Sequence, residues 1–367
     1  MVYRVIGLMS GSSLDGLDIA FVELHENAGK WTYEIIKADC YSYTDEWMQK
    51  LQAAITLPAL EYQLLHTDYG HYIGREVNRF IDENGLHYKV ALIASHGHTT
   101  FHFPSKKMTA QLGDGAAIAA ETNLPVVTDL RSLDVALGGQ GAPIVPIGEK
   151  LLLGDYDFFL NLGGIANIST KNAAGAIAFD VCPTNRVLNM LANEAGKEYD
   201  AEGAMASVGK VNEQLLNELN TLEYYSKPYP KSLANDFGTD IVFPLIKKSG
   251  VDTYDALRTY VEHIVFQIKN AINNLPNDSR LPTPHFKLLV TGGGAFNTFL
   301  VKQIGEQLQS LNIEVIVPEE NLVKYKEALI MALIGVLRWR QEYNVLSSVT
   351  GASRDSIGGA LWNGQDA

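Results

Sequence analysis

Apolar runs enter and leave three glycine-rich turns along this chain. Val5-Ile6-Gly7-Leu8-Met9 leads into Ser10-Gly11-Ser12-Ser13-Leu14-Asp15-Gly16, and Leu17-Asp18-Ile19-Ala20-Phe21-Val22 leaves with alternating character. That pattern predicts a β-hairpin whose turn presents backbone N–H groups, hydroxyls and two carboxylates. Phe158 to Leu162, Gly163-Gly164, and Ile165 to Ser169 repeat it half a chain later. The third turn differs: Lys287 to Thr291 is a buried strand, then Gly292-Gly293-Gly294, then a helix start near Asn297. Glycines let a backbone approach a polyanion closely, and a strand feeding a helix N-terminus is an anion site by geometry. The spacing fits neither a Walker A loop nor a dinucleotide fingerprint. Two hairpins heading two halves predict a duplicated fold that holds a nucleotide phosphate chain.

The remaining periodicity is coarser. Strands are expected over 2–24 and 31–38, and helices over 45–55 and 58–84, the second with a stripe of Leu60, Leu64, Leu65, Ile73, Val77 and Phe80. A buried strand over 90–95 delivers His96; a helix over 114–122 and a strand over 126–129 follow. The Gly/Pro-rich stretch 138–146 reads as the linker. The second half has strands over 157–180, helices over 184–219 and 252–275, and a strand over 287–291. A helix over 324–341 carries an apolar face, and 220–240 reads as an irregular insert.

Composition narrows the function. The 367 residues, 46% hydrophobic, are enough for two domains with cores of their own. A net charge of −13 without a basic cluster argues against nucleic-acid binding. An acidic protein that binds a nucleotide must neutralise phosphates locally, by backbone dipoles, a metal or a few Lys and Arg. Cys40 and Cys182 are too few for a disulfide framework. A strand within six residues of the N-terminus leaves no room for a leader, and no apolar stretch reaches bilayer length. The expectation is a cytoplasmic enzyme that does not engage a membrane.

Asp180 is the leading base candidate, because it ends a strand beside a Pro183 turn, where α/β folds bind ligands. Phosphoryl transfer needs one group to accept a proton from the nucleophile; the alternative for Asp180 is a helix cap. Arg131, flanked by Asp129 and Asp134, reads either as a surface ion pair or as an anion contact. Glu327 reads as a helix-start carboxylate or a site residue. His96 and His98 form a His-x-His pair with no third metal ligand at suitable spacing, so a hydrogen-bonding role is preferred. Asp15 and Asp18 either stabilise their own turn or hold Mg²⁺ through waters. His102 and Lys106-Lys107 read as solvated loop.

The motifs Met9 to Asp18, Ser95-His96-Gly97-His98-Thr99, Gln111 to Asp114, Val127 to Asp134, Gly138 to Pro143, Asn161 to Ile168, Gly292 to Asn297, Lys326-Glu327-Ala328 and Ser348 to Ala352 run in order along nearly the whole chain. Together they resemble the anhydro-N-acetylmuramic acid kinase family. The resemblance implies an α/β, two-domain, duplicated actin-like (ribonuclease H-like) ATPase fold, with the nucleotide in the interdomain cleft. It implies domains 1–140, with the sugar residues, and 141–367, with ATP and the base. It assigns ATP and Mg²⁺ to Gly11, Ser12, Ser13, Leu14, Asp15, Gly16, Leu17, Asp18, Asn161, Gly163, Gly164, Asn167, Gly292, Gly293, Gly294 and Asn297. The nucleotide base is expected near Gly292 to Asn297. It assigns the amino sugar to His96, Gly97, His98, Arg131 and Glu327, and makes Asp180 the catalytic base of a ring-opening phosphorylation in cell-wall recycling. A homodimer belongs to the same expectation. The chain departs from the family at Val181, Cys182 and Thr184, which replace Thr, Gly and Gly, at Asn189, which replaces Asp, and at His98, which replaces Gln. Those changes keep two alternatives open: a related kinase with a shifted substrate, and a nucleotide-binding regulator without catalysis.

Overall fold

A computed structural model describes residues 1–11, 14–172, 175–229, 231–234, 236–275 and 285–364. The chain divides into two compact units, Met1–Gly154 together with Tyr325–Ala367, and Asp155–Lys324. The first unit carries a sheet whose first three strands, β1 (Val2–Ser10), β2 (Gly16–Asn27) and β3 (Lys30–Ser42), form an antiparallel meander. β4 (Leu92–Phe103) runs parallel to β1, with Val5 opposite Leu92. β5 (Met108–Leu112) folds back on the far half of β4, and β6 (Val126–Thr128) runs parallel to β4. The strand Ala360–Trp362 closes the β6 edge.

Two layers cover this sheet. On one face the helices Ala59–Asn84 and Gly115–Thr122 bury Tyr69, Ile73, Val77, Phe80 and Ile118 against Ile6, Leu8, Ile19 and Phe21. Against the sheet also lies the helix Glu320–Trp339, which departs from helical dihedrals at Tyr325 (φ −113°, ψ 18°). Small residues allow the close approach: a Cβ on Gly7 would collide with the Ala328 carbonyl, and one on Gly335 with Ala94.

The second unit repeats the plan. β7 (Phe158–Leu162), β8 (Ile165–Asn172) and β9 (Gly175–Pro183) form an antiparallel meander; β10 (Phe286–Thr291) runs parallel to β7, and β11 (Ile313–Ile316) parallel to β10. The order β11-β10-β7-β8-β9 matches β6-β4-β1-β2-β3 strand for strand. Its core joins Leu160, Leu162 and Ile168 to Val187 and Leu191 of the helix Asn185–Glu194, Tyr260 and Ile264 of Thr253–Asn273, and Leu300 and Ile304 of Thr298–Leu308. Asp252 caps Thr253–Asn273 by accepting from the Tyr254 N–H, and Asn297 caps Thr298–Leu308 by accepting from Leu300.

The division of the chain differs from the expected 1–140 and 141–367. The Gly/Pro stretch at 138–146 is no boundary: the buried Asp134 carboxylate accepts the Gly141 N–H at 2.7 Å and the Thr350 hydroxyl at 2.7 Å, which pins it inside the first unit. The helices expected over 184–219 are Asn185–Glu194, Ala204–Val208 and Glu213–Asn220. The insert at 220–240 contains short helical turns, Glu223–Ser226 and Phe237–Val242. His102 lies on β4 and bonds Thr109, not in a free loop. Among the described residues, no helix is long and apolar enough to cross a membrane.

Candidate active site

In the second unit, strand register assembles a polar row. Thr291 on β10 pairs with Asn161 on β7, Asn161 with Asn167 on β8, and Asn167 with Asp180 on β9. Paired residues share a face of a sheet, so the four side chains line one face near the Gly163–Gly164 turn. The Thr291 hydroxyl is buried without a hydrogen-bond partner among the described residues. Asp180 is half-buried, and its Oδ2 accepts the Leu233 N–H at 2.8 Å. Burial pushes its pKa up, against the lowering effect of that bond. Its backbone is fixed on both sides, the N–H bonded to the Lys231 carbonyl and the carbonyl to the Tyr224 hydroxyl at 2.7 Å. It does not cap the helix Asn185–Glu194, whose N-cap is Thr184.

One residue that departs from the family motif, Thr184, turns out to be a fastener, together with the retained Asn185. Thr184 is fully buried; its hydroxyl donates to the Gly163 carbonyl at 2.6 Å and its N–H to the Gly164 carbonyl at 2.8 Å. Asn185 adds its N–H to Gly163 and its side-chain amide to the Leu162 carbonyl at 3.0 Å. Cys182 is fully buried, and burial holds its thiol protonated.

The glycines divide into two kinds. A Cβ on Gly292, whose φ is +80°, would collide with Asn161, and one on Gly294 would meet Leu162 Cβ at 2.7 Å. These two are packing glycines. Gly163, Gly164 and Gly293 have open space instead: the nearest atoms to a built Cβ are the Ile165 oxygen at 3.5 Å, Arg186 Nε at 3.8 Å and Asn185 Nδ2 at 3.6 Å. Beside Gly293 opens a cavity of about 990 Å³ lined by Asn185, Asn189, Tyr199, Glu202, Gly293, Gly294, Phe296, Asn297, Lys302, Glu320 and Lys324. That volume suits a nucleoside-sized ligand.

The first unit assembles the other expected residues. Arg131 Nε donates to His96 Nε2 at 2.8 Å, and His96 Nδ1 bonds the Gly97 carbonyl at 2.8 Å, so His96 is neutral with its proton on Nδ1. Burial, then the Arg131 charge, push its pKa down to about 3. Both ring nitrogens are engaged, so His96 holds Arg131 in place. A second guanidinium nitrogen of Arg131 donates to the Gly141 carbonyl at 2.5 Å, and Glu327 is the first carboxylate acting on its charge. Arg131 is therefore no surface ion pair. His98 Nδ1 lies 3.0 Å from Ser10 Oγ, which also accepts from Tyr43 at 2.8 Å, and burial lowers the His98 pKa to about 4. Among the described residues, no group of three or more His, Cys, Asp or Glu side chains could hold a metal ion.

At the first glycine turn, Ser12 and Ser13 lie outside the described residues. Leu14 takes a left-handed φ of 59°, and its N–H bonds the Gly11 carbonyl at 3.4 Å. Leu17 is buried in the core, and a Cβ on Gly16 would collide with Cys40 Sγ and the Tyr41 carbonyl oxygen, each 2.7 Å away. Asp18 faces Cys40 across the β2–β3 pair, and burial raises its pKa to about 6, with Asp15 and Glu327 adding to the rise. Lys326, beside Glu327, makes a buried ion pair with Glu149 at 3.2 Å.

Sequence reasoning missed Tyr199, Glu202, Lys302, Glu320 and Lys324, which reach the cavity from segments with no motif, and Arg186, which follows the recognised block directly. Comparison with known proteins completes the picture. The anhydro-N-acetylmuramic acid kinase profile matches residues 3–364. The enzyme of that name from Hydrogenovibrio crunogenus is 32% identical over 98% of this chain and 97% of its own. That from Aliivibrio fischeri is 32% identical over 98% and 99%. The solved activator of the 2-hydroxyisocaproyl-CoA dehydratase from Clostridium difficile with bound ADPNP superposes with a TM-score of 0.46 at 12% identity, over 92% of this chain and 96% of that one. With its duplicated sheets, its glycine turns and these relatives, the chain belongs to the anhydro-N-acetylmuramic acid kinase family of phosphotransferases.

Proposed function

We propose that this kinase uses ATP to convert 1,6-anhydro-N-acetylmuramic acid into N-acetylmuramic acid 6-phosphate, opening the ring with water, in peptidoglycan recycling. The observation that carries the reading is Asp180: a carboxylate with one oxygen fixed, a raised pKa and a place in the polar row beside the Gly163–Gly164 turn. In the proposal Asp180 takes a proton from water as the oxygen attacks the anomeric carbon. The C1–O6 bond breaks, and the released O6 attacks the γ-phosphorus, expelling ADP. From the second unit, Gly163, Gly164, Asn161 and Asn167 meet phosphates, and the cavity by Gly293 takes the adenosine. From the first unit, Arg131 and Glu327 bind the sugar, with His96, Gly97 and His98 beside them, while the Gly11 to Asp18 turn meets the phosphates.

Mg²⁺ commonly keeps most of its waters and takes one or two carboxylates plus substrate phosphates, and Asp15 and Asp18 suit that mode. The ion would neutralise phosphate charge there. The test is ADP release with and without the anhydro sugar, run in ¹⁸O-water. Release that depends on the sugar, with one heavy oxygen at C1 of the product, is the expected result. Sugar-independent release, or an unlabelled product, would overturn it. A sugar panel in the same assay addresses a shifted substrate, which the altered 181–189 block motivates.

A further inference from the structure

Arg186 is the second residue of the helix Asn185–Glu194, and its side chain reaches the second glycine turn. A Cβ built on Gly164 would lie 3.8 Å from Arg186 Nε and 3.9 Å from its Cβ. The residue is half-buried, yet its guanidinium makes no ion pair and no hydrogen bond among the described residues. Arg258, in the same unit, behaves differently: it pairs with Glu262 at 3.0 Å and bonds Gln303 at 3.2 Å. A partly desolvated cation without a counter-charge is costly, so Arg186 is poised for an anion that the protein itself does not supply.

Its placement is preset. Thr184 and Asn185, the two residues before it, tie the carbonyls of Gly163 and Gly164 by three hydrogen bonds. The helix start that carries Arg186 and the turn are therefore fixed relative to each other before any ligand arrives. Space over Gly163 and Gly164 is open, whereas Gly292 and Gly294 are closed by packing. With a net charge of −13, the protein gains little from long-range attraction of a nucleotide and must neutralise phosphates locally.

We infer that Arg186 binds the phosphate chain of the nucleotide at the Gly163–Gly164 turn, as a further binding residue of the phosphoryl-transfer site. A guanidinium presents a planar fork that can give two parallel hydrogen bonds to phosphate oxygens, which an ammonium cannot. The inference rests on the ATP-dependent reading above.

Calorimetry with ATP and with adenosine, on the wild type, Arg186→Gln and Arg186→Lys, tests it. Loss of a charge-assisted pair predicts an ATP affinity ~10–100-fold weaker in Arg186→Gln, with adenosine affinity unchanged. Arg186→Lys should recover part of the loss, since the charge remains without the fork. ATP binding should also be less sensitive to salt in Arg186→Gln, because one phosphate contact is gone. Unchanged ATP affinity in a variant with wild-type circular dichroism and melting temperature would overturn the inference while leaving the kinase reading standing. Equal loss of ATP and adenosine affinity would overturn it as well, since that reports a disturbed helix and not a lost phosphate contact. A wild type that binds adenosine but gains nothing from the triphosphate would instead bring down the kinase reading itself.

Discussion

At Asp180, one carboxylate oxygen accepts the Leu233 N–H while burial pushes the pKa up, so the group is a stronger proton acceptor than a solvated aspartate. Asp180→Asn keeps the acceptor for Leu233 and loses the base. Turnover should fall by ~10²–10⁴-fold, with ATP affinity by calorimetry at the wild-type value; near-normal turnover would remove Asp180 from the mechanism. The glycines allow a paired test at the same scale. Gly163→Ala meets no atom nearer than 3.5 Å, so the fold should tolerate it, and any loss of ATP affinity reports the ligand's approach. Gly292→Ala places a side chain at φ +80° against Asn161 and should destabilise the protein by about 1–3 kcal/mol. Urea titrations of both variants beside ATP titrations separate the two roles. Asp18 gives a pH signature. Its folded pKa, about 6, lies above the unfolded 3.8, so its contribution favours the fold below pH 4 and is lost as pH rises through 6. The difference corresponds to about 3 kcal/mol. Asp18→Asn should therefore gain stability over the wild type at pH 7.5 and show no gain at pH 4, measured by urea unfolding at both.

The hairpin β7–β8 and the start of the helix Asn185–Glu194 behave as one element, because Thr184 and Asn185 bond the Leu162, Gly163 and Gly164 carbonyls. Thr184→Gly removes a hydroxyl bond of about 1 kcal/mol and adds backbone freedom. It should raise KM for ATP more than it lowers kcat; equal falls in kcat and kcat/KM would show that the turn's rigidity matters only in the transition state. This element also shows where sequence reading works and where it stops. The two apolar runs around Gly163-Gly164 made the hairpin legible, since period-two alternation and paired glycines leave few other structures. Arg131 does sit at an element end, before the helix Ser132–Ala136, but Asp180 and Glu327, expected at a strand end and a helix start, lie inside β9 and inside Glu320–Trp339, because both elements run further than the sequence pattern indicates. The fastening by Thr184 was not legible, because it depends on a carbonyl twenty residues away in sequence but adjacent in register. The part played by His96 was hidden for the same reason: only the Arg131 contact shows that both its nitrogens are occupied. Only the Gly293–Asn297 side of the cavity was legible; Tyr199, Glu202 and Lys324 reach it from segments without a motif or shared periodicity.

Across the whole molecule, the chain makes one sheet plan twice but completes the copies differently. The second copy is contiguous: β7 to β11 and the helices that bury Leu160, Ile168 and Leu288 all lie within Asp155–Lys324. The first copy is interrupted, because the helix packed on Gly7 and Ala94, and the strand pairing β6, come from Tyr325–Ala367. Sequence reading placed the break at the Gly/Pro stretch because glycine and proline usually punctuate domains; here Asp134 and Thr350 lock that stretch into the first unit. The asymmetry predicts how fragments behave. A fragment of residues 155–324 contains its own sheet and core and should fold alone, with cooperative urea unfolding and dispersed amide resonances. A fragment of residues 1–154 leaves Gly7, Ala94 and the β6 edge without their partners, exposing apolar surface and unpaired strand groups, and should aggregate or remain molten. Joining residues 325–367 to its C-terminus through a flexible linker should restore a cooperative transition, because the missing helix buries Ala328, Leu329, Ala332 and Leu333, each almost fully inaccessible in the intact chain. Cooperative folding of 1–154 by itself would show that the returning helix only decorates the first unit.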